Sequence, residues 1–217
     1  MGDNMGTLGE PLSFVILSFW SLFVIVDPIT VIPTFLAMTE ENSREEKIRM
    51  ARLASIITFL VLFSFSWGGR WLLIAFGVSV PAFEIAGGII LLKIALDMLQ
   101  ARRTAIKETP EEQAEGISKE DIAITLLAVP MLAGPGAITA VVLLSGQSTS
   151  LFHHSVVAAN IFLVSLISFF ILRTAAVRSS IFSAITLKII TRLMGLLLAA
   201  IAIQFVLNGI GDVKQLW

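Results

Sequence analysis

The chain contains no cysteine and no tyrosine, and its two histidines are neighbours, His153 and His154. Without thiols there are no disulfides, iron–sulfur clusters or thiolate zinc sites. The adjacent histidines, set between two apolar runs, read as a wetted connector rather than a metal centre. No P-loop, GxGxxG, HExxH or GxSxG pattern occurs, so ATP energy would have to come through another chain. Charge is scarce as well, at 14% of the 217 residues, and no nucleophile–base pair stands out in the apolar runs. These absences argue against an enzyme, and no cofactor and no nucleic-acid partner are expected.

Apolar surface is what the chain has in excess. Hydrophobic residues make up 56% of it and its mean hydropathy is +0.91, a composition of integral membrane proteins. A hydrocarbon core of roughly 30 Å needs about 20 apolar helical residues. Runs of that size occur at 12–37, 53–76, 81–100, 121–145, 152–172 and 190–210. Backbone groups in lipid are satisfied only by helices or closed barrels, and these runs lack the alternation of barrel strands. The expected fold is therefore an all-α membrane domain with six transmembrane helices, in contact with membrane lipid. Asp3 and Glu10 precede the first run with no Lys or Arg among them, so that run reads as a retained anchor rather than a signal peptide.

Basic residues set an expected orientation. Arg44, Lys47, Arg49 and Arg52 lie after the first run; Arg102, Arg103, Lys107 and Lys119 after the third; Arg173, Arg178, Lys188 and Arg192 around the fifth and sixth. The opposite side has Arg70 and Lys214, and Lys93 lies within a run. The positive-inside rule then puts these connectors in the cytoplasm and both termini on the non-cytoplasmic side of the plasma (inner) membrane. Glu40, Glu41, Glu45, Glu46, Glu111, Glu112 and Glu115 share those connectors without altering the rule.

A single shift of the chain lays Pro28 on Pro135, Gly88 on Gly195, Ile94 on Ile201, Ala95 on Ala202 and Asp97 on Gln204. This divides the single domain, 1–217, into repeats at 12–100 and 121–210, with 101–120 as the cytoplasmic connector. Three spans per half force the second copy to enter from the opposite side. The expected architecture is two inverted three-helix repeats, as in many secondary transporters.

The stretch "VIVDPITVIP", Val24–Pro33, sets an acid and a helix breaker inside the first run. Pro suits the first position of a helix and Asp the position before it, so "DP" reads as a start signal. The first span is expected as two pieces, Leu12 to about Val26 and Pro28 to about Met38. In the second half, "VPMLAGPGAITAVV" has Pro130 to distort the arriving helix, Gly134 to allow an unusual backbone angle and Pro135 to open a new half-helix. The first and fourth spans are thus expected to be broken at mid-membrane, facing each other. A helix start presents free N–H groups and partial positive charge to an anion. Asp27 can cap its own half-helix, whereas Gly134 leaves its amides open, so "GPGAIT" is the expected carboxylate dock.

The runs "VDPITVIPTFLAMT", "FEIAGGIILLKIALDML" and "VPMLAGPGAIT" resemble three span motifs of the MarC family of bacterial and archaeal membrane proteins. The likeness covers nearly the whole chain. It implies six spans, a plasma-membrane location and, as for characterised members, gradient-driven movement of glycine, alanine and similar neutral amino acids, with a proton as coupling ion. Many members carry Asn at the position of Asp27, which implies a need for a cap more than for a charge.

The resulting expectation is a secondary transporter for a small neutral amino acid. Val26, Asp27, Thr30, Gly134, Pro135, Gly136, Ala137 and Ile138 are the expected substrate-binding residues, and Asp27 and Asp97 the candidates for proton coupling. Lys93 and Asp97, four apart on one helical face, can pair or snorkel. Glu84 sits in the first turn of its span, where water is near. Gly87, Gly88 and Gly195 read as packing positions. Ser64, Ser66, Ser165 and Ser168 can line a path or bond their own backbone. Rival readings are an exporter or channel for a drug or ion, disfavoured by having so few deep acids, and a non-transporting membrane subunit, disfavoured by the absence of a soluble domain. The pattern leaves oligomeric state open.

Overall fold

A computed structural model describes residues 4–100, 127–146, 151–178 and 182–215. Seven α-helices occur among them: α1 (Asn4–Val26), α2 (Ile32–Met38), α3 (Arg44–Ala75), α4 (Val80–Leu99), α5 (Pro135–Gly146), α6 (Leu151–Val177) and α7 (Ala184–Gln215). A π-helical turn, Leu127–Leu132, precedes α5. The connector 101–120 and residues 121–126 of the fourth apolar run lie outside the described residues.

Local chemistry accounts for the helix ends. A capping box starts α3: Ser43 Oγ accepts the Glu46 N–H, and the Glu46 carboxylate accepts the Ser43 N–H at 2.6 Å. At the other end Gly77 turns left-handed (φ 66), Val78 N–H reaches Leu73 O at 2.9 Å and Gly77 N–H reaches Ile74 O at 3.0 Å. That is a Schellman closure, which glycine makes without steric cost. Two residues on, Ser79 Oγ caps α4 through the Ala82 N–H, with Pro81 in the opening turn.

By length and composition, α3, α6 and Ile185–Val213 of α7 are apolar enough to cross a membrane. Pro11–Val26 and α5 are shorter apolar helices. With Glu84, Lys93 and Asp97, α4 is more charged than its length suggests. Helices also run past the apolar stretches. Residues 44–52, expected in a connector, form the opening turns of α3, and α7 takes in Lys188 and Arg192. Capping at Ser43 stabilises those polar turns, which need no lipid. His153 and His154 belong to the first turn of α6 rather than to a wetted connector. The His153 ring packs edge-on to Phe14 at 4.5 Å, and its Nδ1 is buried without a partner.

The packing pairs helices across the two halves: α1 with α5, α3 with α6, and α4 with α7. Other contacts also come in twos. α3 meets α5 as α1 meets α6, and α4 meets α5 as α1 meets α7. The α4–α7 seam is closed by small residues. A Cβ added to Gly88 would stand 2.7 Å from Ala202 O, and one added to Gly195 would stand 3.2 Å from Ala95 O. Gly88 and Gly195 therefore act in packing, as expected. One buried cluster runs through all of these elements, from Leu22, Val31 and Phe35 to Leu62, Leu91, Ala137, Ile161 and Ala202. The outer surface is apolar too, with Trp71 76% and Leu151 82% exposed, a pattern that suits lipid and not water.

Buried polar groups tie helices at three points. Asn160 on α6 donates to Ser18 Oγ (2.8 Å) and Val15 O (3.2 Å) on α1. Ser66 and Ser145 hydroxyls meet at 2.7 Å between α3 and α5, and Thr58 lies 3.4 Å from Ala128 O in the π-turn. Ser64 and Ser168 bond their own helices, while Ser165 Oγ is buried without a partner.

Candidate substrate site at two helix breaks

The first break follows from one acid and two prolines. α1 ends at Val26, as expected, and Asp27 closes it in the left-handed region (φ 42), its N–H donating to Phe23 O at 3.0 Å. Asp tolerates this conformation better than most residues because its carboxylate bonds locally. Here Asp27 Oδ2 accepts the Thr30 hydroxyl at 2.6 Å and Oδ1 faces the Thr30 N–H at 3.4 Å. The carboxylate thus caps a turn over residues 28–31. The regular helix begins at Ile32 and not at Pro28, which corrects the expected start. Pro33 is the reason. It has no N–H to offer Ile29 O, which accepts the Ile32 N–H instead, at 3.2 Å, and a proline is at ease only in the opening turn of a helix.

The second break has a different origin. Pro130 lies within the π-turn, and Ala133 N–H reaches back five residues to Ala128 O at 2.8 Å. A proline that removes one i→i−4 bond leaves the ladder free to widen in this way. Ala133 and Gly134 then interrupt the helix, and α5 opens at Pro135, where the sequence placed it. Among the described glycines only Gly77 has positive φ, so Gly134 does not use the unusual angle expected of it. What it contributes is a carbonyl, which accepts the Ile138 N–H at 3.0 Å. Ile138 is therefore satisfied and Pro135 has no N–H. The first-turn donors left without a helical acceptor are Gly136 and Ala137.

Both breaks are buried. Asp27 is 6% exposed; Val26, Val31, Ile32, Leu132, Ala133 and Ala137 all belong to the common core. Among the described residues no hydrogen bond joins Asp27 or Thr30 to the segment Gly134–Ile138. Gly136 faces α4, where an added Cβ would strike the Leu91 side chain, and Gly87 faces Thr139 in the same way. The smallness of Gly136 thus serves α4–α5 packing.

Asp97 is not brought to the breaks. It lies six residues along α4 from Leu91, about 9 Å at the helical rise of 1.5 Å per residue. It is half-buried, Lys93 is exposed, and no ion pair joins them among the described residues. Glu84, expected near water, is 5% exposed, with Asn208 of α7 close by; the Asn208 side-chain oxygen accepts from Gln204 at 2.7 Å. Asn160 and Asn208 were not among the expected site residues. Asn160 is a lone amide in its apolar run and Asn208 shares its run with Gln204, and their positions were the available signal.

The family profile described as "MarC family integral membrane protein" matches residues 12–213, a span that includes both breaks. The chain belongs to the MarC family. MarC relatives in the curated proteins include UPF0056 membrane protein MJ1677 of Methanocaldococcus jannaschii, 36% identical over 92% of this chain and 97% of that protein. They also include YvbG of Bacillus subtilis, 34% identical over 91% and 94%, and a UPF0056 membrane protein of Archaeoglobus fulgidus, 36% identical over 93% and 94%. No solved structure matches this MarC chain.

Proposed function

We propose that this MarC protein is a secondary transporter of small neutral amino acids of the glycine and alanine type. It acts in the plasma membrane with both termini outside and is driven by a proton gradient. The observation that carries this reading is the pair of interrupted helices sharing one buried core, each with a helix start next to irregular backbone. In lipid such backbone is tolerated where it is enclosed by protein, and transporters bind substrate at such places.

The substrate carboxylate is held by the Gly136 and Ala137 amides in the Gly134–Ile138 turn, where the helix dipole favours an anion. Its ammonium is held by carbonyls near Val26 and Asp27, with Thr30 orienting the Asp27 carboxylate. Small side chains are selected because the site lies between closely packed backbones. Asp27 is the proton-coupling candidate nearer the substrate, and Asp97, outside the breaks, the more remote one.

Alternating access comes from rocking residues 12–100 against 121–210, six spans arranged as two inverted repeats joined by 101–120. Reciprocal contacts support this. The repeat shift that pairs Gly88 with Gly195 and Ala95 with Ala202 also exchanges the Gly88–Ala202 contact with Gly195–Ala95. Such an exchange is what a two-fold relation produces. The test is uptake of labelled glycine, alanine, serine, leucine and glutamate into proteoliposomes, with and without pH and sodium gradients. Saturable, pH-driven uptake of the small neutral substrates supports the reading, and uptake of none of them overturns it.

A further inference from the structure

The last turns of α6 and the first residue of α3 form a feature that the transport reading does not use. Phe170, Thr174 and Val177 follow helical spacing along one face of α6, Arg173 flanks them, and Arg178 follows the last helical residue, its N–H donating to Thr174 O at 2.8 Å. Arg44 opens α3 beside them. These six residues line a cavity of about 190 Å³. Three arginines thus line one space, and among the described residues none of the three forms an ion pair. The nearest acids in sequence are Glu45 and Glu46. Neither lines the cavity, and the Glu46 carboxylate is committed to the Ser43 N–H. The amino end of α3 adds its own partial positive charge.

One wall of the cavity is apolar, made by Phe170, 49% exposed, and Val177. Planar guanidinium forks match phosphate oxygens two at a time, and basic pockets between membrane helices suit lipid head groups. We propose that this cavity is a phosphate-binding site, taking the phosphoryl group of an anionic phospholipid or a free phosphate anion. It is independent of the transport site. Phe170 and Val177 contact the glycerol end when the ligand is a lipid, and Arg44, Arg173 and Arg178 grip the phosphate.

The experiment uses the purified full chain and native mass spectrometry to compare retention of phosphatidylglycerol and phosphatidylcholine. Thermal unfolding with inorganic phosphate forms a second arm. Preferential retention of phosphatidylglycerol identifies a lipid site; stabilisation by inorganic phosphate without lipid preference identifies a free-phosphate site. Both support the proposal. Arg44→Gln, Arg173→Gln and Arg178→Gln should each weaken that binding about fivefold, the effect of one basic residue near an anionic surface. Arg52→Gln, exposed on α3 outside the cavity, reports general surface charge and should change it less than about twofold. These are exposed positions, and a circular-dichroism spectrum checks that each variant folds. No preference for either phosphate source, or an Arg52→Gln loss as large as the cavity variants show, overturns the proposal.

Discussion

Substitutions at Asp27 separate the two jobs this residue does at the first break. It holds a left-handed backbone angle (φ 42), and its carboxylate binds the Thr30 hydroxyl at 2.6 Å and faces its N–H at 3.4 Å. Asn keeps both features, because it tolerates that angle and its side-chain oxygen still accepts; its cost should stay below about 1 kcal/mol. Gly accepts the angle freely but leaves the Thr30 donors unpaired, a loss of about 1–3 kcal/mol. Ala loses the same bonds and adds left-handed strain of roughly 1–2 kcal/mol, so it should be the least stable of the three. The assay is reversible unfolding in mixed micelles, with all variants in one detergent composition. An Ala variant as stable as the Asn variant would refute the reasoning, since neither the angle nor the carboxylate would then be holding the break.

Gly88→Ala puts a Cβ 2.7 Å from Ala202 O and should destabilise by about 1–3 kcal/mol, less the roughly 0.5–1 kcal/mol that Ala gains in a helix. Gly195→Ala meets its nearest neighbour at 3.0 Å and should be milder; micelle unfolding of both variants gives the order. Asn160→Leu removes both bonds to α1 and leaves Ser18 with its own-helix acceptors, Phe14 O and Val15 O, so the loss should be about 1 kcal/mol in the same assay. The Ser43 backbone N–H holds the Glu46 carboxyl below its usual 4.5, so its stabilisation of the α3 start is full above 4.5 and is lost as pH falls through the lower folded value. Amide exchange at residues 43–47, corrected for intrinsic rates, should rise in that acid window for the native chain and stay flat for Glu46→Gln.

Much of the fold was legible because prolines, glycines and caps act locally. The end of α1 at Val26 and the start of α5 at Pro135 follow from residues beside them in sequence. The start of α2 did not, since the local signal at Asp27–Pro28 competes with Pro33, whose missing N–H decides which carbonyl is free. The π form around Pro130 was legible as a distortion, but its wider ladder depends on how Ala133 finds an acceptor in three dimensions. Gly88 and Gly195 were legible as packing positions, whereas the second role of Gly136 required knowing that Leu91 lies opposite. Glu84 and His153 were misjudged for the same reason: their surroundings come from Asn208 on α7 and Phe14 on α1, far off in the chain. The Lys93–Asp97 spacing permitted a pair, but spacing alone does not fix side-chain direction, and no ion pair joins them among the described residues.

The central claim is that two buried helix breaks hold a small zwitterion on its way across the membrane. Its most direct measurement is glycine counterflow into proteoliposomes by the native chain and by Thr30→Val and Pro135→Ala, with folding of each verified. Saturable exchange is expected in the native protein and a marked loss in both variants, with serine or alanine competing and glutamate not. Exchange unchanged in both folded variants, or no exchange of any neutral amino acid by the native chain, would contradict it.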